Sequence, residues 1–248
     1  MKSVVPRNLA ASHYQSCHLL FLYIDLATYV CRYNRLMRFT ALFIDLDDTL
    51  YPATNGLWQA IKERIRQYMR ERLGIPAQVV PELSHQYFLQ YGTTLRGLQA
   101  NYHVDMLDYL AYVHDVPLAD YIAPNPGLCS ILSSIPARKF IFTNADSAHA
   151  RRVLRQLAIE SCFDGIVDVL AIDPYCKPMP ESFEIAQALA GEPDPRRCVM
   201  IDDLPHTTRA ARQRGFLALL YGESEPRPDA DAVFSDWSFL PTLLDGRN

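Results

Sequence analysis

The feature that most constrains the fold is a short apolar segment that recurs along the chain and ends directly in polar residues. Residues 40–44 (Thr-Ala-Leu-Phe-Ile) run into a carboxylate-rich turn, and residues 139–142, 198–201 and 217–220 repeat this form, with 165–169 as a weaker fifth case. Apolar runs of this kind are typical of buried parallel strands. Because ligands of parallel sheets bind at the carboxyl ends of the strands, the polar residues after each run are the candidate functional residues.

Helical patterns separate these predicted strands. Apolar residues recur at helical spacing after Asp146, a typical helix N-cap residue, and again after Pro180, which suits the first turn of a helix. Strands that alternate with helices predict an α/β fold with a doubly wound parallel sheet.

A long stretch between the first two predicted strands has the pattern of helices alone. Leu57 and Ile61 begin an apolar series at helical spacing within residues 52–125. We therefore predict a small helical cap domain at residues 52–125, inserted into a core domain made of residues 37–51 and 126–248. Since the insert leaves and re-enters the core near the ligand-binding edge, it can close over a ligand.

Composition favours a protein that acts on small molecules. The 248 residues are 49% hydrophobic and 21% charged, as in globular proteins, and the net charge of -4 argues against a nucleic-acid partner. The six cysteines form no C-x-x-C pair, so neither a zinc site nor a redox motif is predicted. We expect reduced thiols, a cytoplasmic location and no nucleoside triphosphate or dinucleotide cofactor, since the corresponding glycine-rich motifs are absent.

Residues 1–36 are predicted to be an extension of the core, either a non-native start or a disordered segment. Their apolar run at residues 19–30 contains Asp25 and is shorter than the roughly 20 residues that span a membrane. The acidic residue also fits a signal peptide poorly. We expect no membrane association and a functional chain that begins near Met37.

Asp45 and Asp47 lie two positions apart directly after the first predicted strand. Alternate residues of an extended chain project the same way, so both carboxylates can face one ligand. One can attack phosphorus to form an aspartyl phosphate, and the other can protonate the leaving alcohol, a role that requires a pKa raised by the neighbouring carboxylates. The pair can equally cap a turn or a helix, and by itself it leaves both interpretations open.

Catalysis by such a pair requires cations. An aspartate about 4 Å from a phosphate dianion is repelled by roughly 8 kcal/mol at an effective dielectric constant of about 20. Asp202 and Asp203 follow another predicted strand and can bind Mg²⁺, while Lys177 can supply a second positive charge. Thr143 and Asn144 can hold phosphate oxygens through a hydroxyl and free N–H groups. Helix capping at either pair, and a solvent-exposed loop at Lys177, remain the alternatives.

Four short motifs occur in the order in which the haloacid dehalogenase superfamily of phosphatases carries them. They are Asp45-Leu46-Asp47-Asp48-Thr49, Thr143 within Ile-Phe-Thr-Asn, Lys177-Pro178, and Asp202-Asp203. Each falls at the end of a predicted strand or in the loop that follows, and four ordered motifs are far more specific than one. The chain therefore resembles that superfamily over residues 38–222.

The resemblance implies a role for each matched position. It implies that Asp45 is the nucleophile and that Asp47 is the general acid and base. It also implies that Thr143 and Lys177 hold the transferred phosphate.

The same resemblance implies bound Mg²⁺ as the cofactor. Its ligands would be the carboxylates of Asp45 and Asp203 and the backbone carbonyl of Asp47. Asp202 stands where many members of the superfamily have Gly or Glu, so the resemblance does not by itself make it a ligand. It is predicted as a Mg²⁺ ligand because of its charge and its position beside Asp203.

Two further features narrow the resemblance. The dehalogenase branch lacks the second aspartate of the first motif, and its presence here as Asp47 favours phosphate ester chemistry. Short segments at residues 50–58, 91–98 and 142–150 resemble the pyrimidine 5′-nucleotidase group. This implies a nucleoside monophosphate as the partner.

Some residues near these segments are candidate substrate contacts. Tyr91, Thr94 and Arg96 can contact a base and a sugar, Tyr91 by stacking and Arg96 by hydrogen bonds. Because the chain has 14 tyrosines, Tyr91 can equally be an ordinary packing residue. His149 is interpreted as a structural residue at the start of a helix.

The sequence thus predicts a Mg²⁺-dependent phosphomonoester hydrolase that acts through an aspartyl phosphate on pyrimidine nucleoside 5′-monophosphates. A phosphatase of a sugar phosphate or of phosphoglycolate and a phosphomutase are the nearest alternatives. A non-catalytic protein that binds a phosphorylated metabolite is the alternative from a different class.

Overall fold

A parallel six-stranded sheet forms the centre of the molecule in the computed structural model, which describes residues 38–245. The predicted extension at residues 1–36 lies outside the described residues. The strands are β1 (Ala41–Ile44), β2 (Arg138–Phe142), β3 (Gly165–Val167), β4 (Cys198–Asp202), β5 (Leu217–Tyr221) and β6 (Ala232–Phe234). They lie side by side in the order β3-β2-β1-β4-β5-β6, and every neighbouring pair is parallel. The prediction of an α/β fold with a doubly wound parallel sheet is confirmed.

Helices connect the strands. Four of them, within residues 52–125, are α1 (Leu57–Glu71), α2 (Val80–Tyr91), α3 (Thr94–Asn101) and α4 (Met106–Val113). The others are α5 (Pro126–Ser134), α6 (Ser147–Gln156), α7 (Pro180–Ala190), α8 (Pro205–Gln213) and α9 (Leu240–Asp245). Asp146 caps α6, as predicted, because its side chain accepts the N–H of His149.

The sheet is covered on both faces, which explains the continuous apolar runs. All residues of β1 and β4 are buried. Aromatic rings pack across the sheet at Phe43, whose ring centroid is 5.8 Å from those of Phe140 and Phe216. Burial of such rings contributes about 1.5–3 kcal/mol each to stability, relative to exposed rings.

The helical segment, defined here as residues 52–125, has its own apolar cluster, which also takes in Val169 after β3. Tyr68, Met69, Val80 and Leu98 belong to this buried cluster, which α1 to α4 share. This cluster is separate from the one around the sheet, which agrees with the predicted cap domain. The division of the chain into domains stays a prediction.

Two details of the sheet differ from expectation. β3 ends at Val167, because the side chain of Asp168 accepts the N–H groups of Ser147 (2.8 Å) and Ala171 (2.9 Å) and turns the chain away. β6 was not predicted, since three residues in a loop rich in Asp and Pro carry no strand pattern. It forms because β5 offers an edge to pair with, and Phe234 packs against Tyr221.

None of the helices within residues 38–245 combines the length and the hydropathy needed to cross a bilayer.

Candidate active site

Neighbouring strands bring the predicted site residues to one edge of the sheet. β1 lies between β2 and β4, and Ile44 pairs with Ile141 on one side and Ile201 on the other. The backbone N–H of Asp45 donates to the carbonyl of Ile201 (2.9 Å), which extends the pairing by one residue. The polar residues that follow these strands therefore lie together at the carboxyl edge.

Lys177 reaches this edge from the loop before α7 and lies between two carboxylates. Its Nζ is 2.6 Å from Asp45 Oδ1 and 2.7 Å from Asp202 Oδ2, and its side chain is 4% exposed. Burial lowers the pKa of Lys177, but Asp202 and Asp45 raise it by more, so the net pKa lies above its ordinary value. Lys177 is thus an ammonium that pairs with both carboxylates.

Three carboxylates lie at this edge, and Lys177 supplies one positive charge to them. Asp45, Asp202 and Asp203 present oxygens that all lie within 4.8 Å of one another. The pKa of Asp45 is raised by burial, which Lys177 opposes and Asp202 reinforces. Burial, followed by Asp202 and Asp45, raises the pKa of Asp203 to about 9. An oxygen-rich set of ligands under mutual repulsion suits a hard divalent cation.

The two adjacent aspartates differ in how their oxygens are used. Asp202 is fully buried; its Oδ1 accepts the N–H of Leu204 (2.9 Å) and its Oδ2 accepts from Lys177. Asp203 is half-buried, and its Oδ1 lies 3.5 Å from the hydroxyl of Thr49. Asp203 therefore has more capacity left for a cation than Asp202, while the metal roles of both stay predictions.

Asp47 turns its carboxylate toward a different set of side chains. Its Oδ1 accepts from the hydroxyl of Tyr51 (2.5 Å) and lies 3.0 Å from Nε2 of His149. Burial raises the pKa of Asp47, but the charge and hydrogen bond of His149 and the hydrogen bond of Tyr51 lower it by more. The expectation that neighbouring carboxylates raise this pKa is therefore wrong, because these two donors stabilise the ionised form.

Thr143 and Asn144 follow β2 and face the same edge. Thr143 is buried, and its Oγ1 accepts the N–H of Ala145 (3.0 Å), which leaves the hydroxyl hydrogen free to donate. The side-chain amide of Asn144 donates to the carbonyl of Lys177 (3.0 Å) and accepts its N–H (2.8 Å). Asn144 thus holds the backbone of Lys177 in place. Phosphate binding by Thr143 and Asn144 stays a prediction.

Arg96, a predicted substrate contact, is buried and bonded to the protein. Its guanidinium donates to Asp173 Oδ1 (2.6 Å), to Gln99 Oε1 (2.9 Å) and to the carbonyl of Tyr175 (2.8 Å). Asp173 and Tyr175 belong to the loop that leads to Lys177. In this structure Arg96 therefore joins α3 to that loop, and its contact with a substrate stays a prediction.

The other predicted substrate contacts also have protein partners. The hydroxyl of Thr94 donates to the carbonyl of Ser84 (3.2 Å), which links α2 and α3. The ring of Tyr91 packs edge-on against Tyr87 with centroids 5.8 Å apart. The carbonyl of Tyr91 accepts from the thiol of Cys176 (3.3 Å), beside Lys177. Their predicted role with a substrate is untested.

Comparison with known proteins decides the family. Residues 39–215 match the model of the haloacid dehalogenase-like hydrolase family. This match covers more than half of the chain and contains each of the motifs at the carboxyl edge. The chain belongs to this family.

A curated relative supports the assignment of the chain to the haloacid dehalogenase-like hydrolases. Phosphate metabolism protein 8 of Saccharomyces cerevisiae is 29% identical over 187 residues, which are 70% of this chain and 58% of that protein. The chain thus spans less than two thirds of the length of this relative.

Solved structures share the fold of this haloacid dehalogenase-like hydrolase. A HAD phosphatase from Thermococcus onnurineus has a TM-score of 0.57 at 15% identity, and covers 84% of this chain and 99% of its own. YfnB of Bacillus subtilis, solved with magnesium, has a TM-score of 0.54 at 17% identity, with 84% and 99% covered. L-2-haloacid dehalogenase from Xanthobacter autotrophicus has a TM-score of 0.51 at 16% identity, with 85% and 100% covered. Because this fold serves different reactions, the reaction has to be argued from the site.

Sequence reasoning missed the partners of Asp47 in this haloacid dehalogenase-like hydrolase. Tyr51 was noted only as part of a family-like segment, although its spacing of four residues from Asp47 suits a contact within one turn. His149 was interpreted as structural. Nothing local in the sequence signals its contact with Asp47, since the two residues are 102 positions apart.

Proposed function

We propose that this haloacid dehalogenase-like hydrolase is a Mg²⁺-dependent phosphatase that forms an aspartyl phosphate at Asp45. The observation that carries the proposal is the position of Asp45, whose Oδ1 is held by Lys177 and whose Oδ2 lies 3.3 Å from the hydroxyl of Thr49. Each oxygen thus has a donor that fixes its direction. A carboxylate held at the carboxyl edge, beside Lys177 and Thr143, suits attack on a phosphate bound there.

The proposed reaction has two steps. In the first, an oxygen of Asp45 attacks phosphorus, the bond from phosphorus to the leaving oxygen breaks, and Asp47 gives its proton to that oxygen. In the second, Asp47 takes a proton from water, the water oxygen attacks phosphorus, and the bond to Asp45 breaks to release inorganic phosphate. Lys177 and Thr143 hold the phosphate oxygens in both steps.

The lowered pKa of Asp47 keeps its carboxylate ionised, which is the form that accepts a proton in the second step. A phosphate dianion bound beside Asp47 raises its pKa, because a second negative charge disfavours the ionised carboxylate. Substrate binding therefore supports protonation of Asp47, which the first step needs.

The carboxylates at the edge also fit the proposed Mg²⁺ ion. Asp45 and Asp203, with the backbone carbonyl of Asp47 and with Asp202, would hold it. Burial and the charge of Asp202 both raise the pKa values of Asp45 and Asp203. When bound, the ion supplies neutralisation of the negative charge on the phosphate oxygens.

We propose pyrimidine nucleoside 5′-monophosphates as the substrates and residues 52–125 as a cap over the site. The family-like segments around Tyr51 and Tyr91 support this choice, and both contact the site or its loops. The presence of Asp47 supports phosphate esters over haloacids, since an alkoxide leaving group needs a proton donor whereas a halide does not.

A phosphate-release panel tests the proposal. The purified protein is incubated with Mg²⁺ and UMP, CMP, AMP, glucose 1-phosphate, glucose 6-phosphate or phosphoglycolate, and free phosphate is measured. We expect the highest kcat/KM for UMP or CMP. A higher value for a sugar phosphate or for phosphoglycolate would overturn the nucleotide proposal and leave the phosphatase chemistry intact.

Variants and chelation test the mechanism in the same assay. Asp45→Asn removes the nucleophile and should abolish phosphate release, and excess EDTA should do the same until Mg²⁺ is restored. Asp47→Asn should lower kcat by about 100-fold or more. Normal turnover by Asp45→Asn would exclude the covalent intermediate, and ligand binding without phosphate release by the wild type would favour a binding protein.

A further inference from the structure

His149 is a fully buried imidazole in contact with Asp47, and the proposed reaction gives it no part. We propose that His149 is a positioning residue, which holds one oxygen of Asp47 so that the other oxygen faces the leaving group. This inference rests on the proposed phosphatase function and adds a residue to it.

The contacts of Asp47 divide its two oxygens. The Tyr51 hydroxyl (2.5 Å) and His149 Nε2 (3.0 Å) both meet Oδ1. Oδ2 accepts no hydrogen bond from any side chain or backbone group in the part of the chain described. An ionised carboxylate only accepts, so Nε2 carries the hydrogen of this contact. One oxygen is therefore fixed by two donors, and the other is left for proton transfer.

His149 is itself held in place on several sides. Its backbone N–H donates to Asp146 Oδ1 (2.8 Å), in the first turn of α6. Its ring stacks on that of His114, with centroids 4.1 Å apart and planes 15° apart. Nδ1 of His114 lies 2.7 Å from Asp146 Oδ2, so a single carboxylate orients both residues. The ring of His149 thus has little freedom to leave Asp47.

A purely structural role does not explain an imidazole at this position. Nδ1 of His149 is buried and has no hydrogen-bond partner within residues 38–245. An unpaired buried polar atom costs about 1–3 kcal/mol. An apolar ring would stack on His114 without that cost. What an apolar ring cannot supply is the Nε2 hydrogen that Asp47 receives.

The placement of His114 extends this support to the helical segment. His114 follows α4 directly, and Arg152 of α6 donates to the carbonyls of His114 (2.8 Å) and Val116 (2.7 Å). The end of α4 is therefore tied to the helix that carries His149. The position of Asp47 depends in this way on both the core and the helical segment.

The test compares leaving groups. In a two-step reaction, kcat/KM reports the steps up to and including the first irreversible step. Here that step is the formation of the aspartyl phosphate, in which Asp47 serves as an acid. An alkyl ester needs that proton, whereas p-nitrophenyl phosphate has a weakly basic leaving group and needs it much less. The probes are p-nitrophenyl phosphate and the alkyl ester with the highest turnover in the panel.

His149→Phe keeps an aromatic ring and removes the donor. We expect it to lower kcat/KM for the alkyl ester by about 10- to 100-fold, since a small misplacement of a catalytic group can cost about 100-fold. For p-nitrophenyl phosphate we expect a loss below about threefold. His149→Gln, whose amide can occupy the place of Nε2, should recover most of the alkyl-ester activity.

Controls separate this proposal from loss of the fold. His85 is exposed on α2, and His85→Phe should leave both activities unchanged. Thermal melting of each variant reports folding. If His149→Phe does not fold, His149→Asn takes its place, because the asparagine side chain is too short to reach Asp47. We then expect the same difference between the losses of kcat/KM on the alkyl ester and on p-nitrophenyl phosphate.

Two results would overturn the inference, and they differ. Equal losses of kcat/KM on both esters in a folded His149→Phe protein would show a general structural role, and would leave the phosphatase function standing. If the wild type releases phosphate from neither ester, the proposed function is overturned, and the inference with it.

Discussion

At the scale of single residues, Lys177 is the side chain on which the buried carboxylates depend. It contacts Asp45 and Asp202 at once, and its place is fixed by the amide of Asn144 on its own backbone. A buried ion pair adds little net stability relative to apolar packing, but removal of one partner leaves a buried charge without compensation. Lys177 therefore has both a structural and a proposed catalytic role.

Lys177→Met is expected to lower both stability and activity. Without the ammonium, Asp45 and Asp202 are buried without a counter-ion, and the free energy of unfolding without Mg²⁺ should fall by about 3–5 kcal/mol. Urea denaturation at neutral pH measures this change, and the phosphate-release assay should show no turnover. Lys62, a half-buried residue of α1, offers the matched control. Lys62→Met should change stability by less than about 1 kcal/mol. Unchanged stability of Lys177→Met would show that the negative charges of Asp45 and Asp202 are compensated by another group.

At the scale of elements, the turn between α2 and α3 meets the loop that carries Lys177. Gly92 adopts a φ of +83°, and a Cβ atom there would lie 2.9 Å from Cys176 Sγ and 3.1 Å from the carbonyl of Lys177. No other residue type fits without movement of that loop. The glycine is thus required by a contact between the helical segment and the core.

Gly92→Ala and Gly74→Ala separate this contact from backbone strain. Both glycines have positive φ, but nothing lies within 4 Å of a Cβ atom at Gly74. Each alanine should cost about 1–2 kcal/mol because of its left-handed backbone. Gly92→Ala alone should also displace Lys177 and lower kcat by about 10-fold or more, because small misplacements of catalytic groups are costly. Similar kcat values for the two variants would contradict this role of the turn.

The stacked imidazoles couple α4 to α6 in a way that depends on pH. Burial, followed by the charge of His149, lowers the pKa of His114 below its ordinary value of 6.5, although Asp146 and Asp47 oppose the shift. The unfolded chain therefore binds a proton at a higher pH than the folded one. This part of the stability is complete above pH 6.5 and is lost as the pH falls through the folded pKa.

His114→Phe should therefore flatten the dependence of stability on pH. The wild type should lose unfolding free energy as the pH falls below 6.5, and the variant should lose less of it, because one titrating group is gone. Urea denaturation at several pH values measures the slope. His103, which is exposed, is the matched position, and His103→Phe should leave the slope unchanged. An unchanged slope in His114→Phe would show that His114 titrates alike in both states.

At the scale of the whole molecule, the apolar packing that the structure describes around the site is formed by residues 38–245. β1 begins at Ala41, and its buried residues pair with β2 and β4 on either side. Apolar clusters of the sheet and of the helical segment both lie among these residues. This part of the chain therefore contains extensive stabilising contacts.

A protein that begins at Met37 is expected to fold and to retain full phosphatase activity. The reason is that β1 and every proposed catalytic residue lie after Met37. Circular dichroism, thermal melting and the phosphate-release assay compare it with the full chain. Loss of cooperative melting would show that residues 1–36 contribute to the fold.

The sequence by itself determined the class of the fold and the positions where chemistry can occur. Buried parallel strands require apolar residues along their whole length, so β1, β2, β4 and β5 are visible as local patterns. Their ends mark Asp45, Thr143 and Asp202 without any knowledge of the packing. β6 escaped this reasoning, because an edge strand of three residues depends on pairing with β5 and not on its own pattern.

Only the tertiary structure decided which side chains meet and how their charges interact. Lys177 lies 132 positions from Asp45, and His149 lies 102 positions from Asp47, so no local pattern could reveal these contacts. The adjacent Asp202 and Asp203 look alike in the sequence, but packing buries Asp202 against Lys177 and leaves Asp203 half-buried, with a 3.5 Å contact to the hydroxyl of Thr49. Burial and partner contacts set the pKa of a carboxylate, and both depend on the folded arrangement of distant segments.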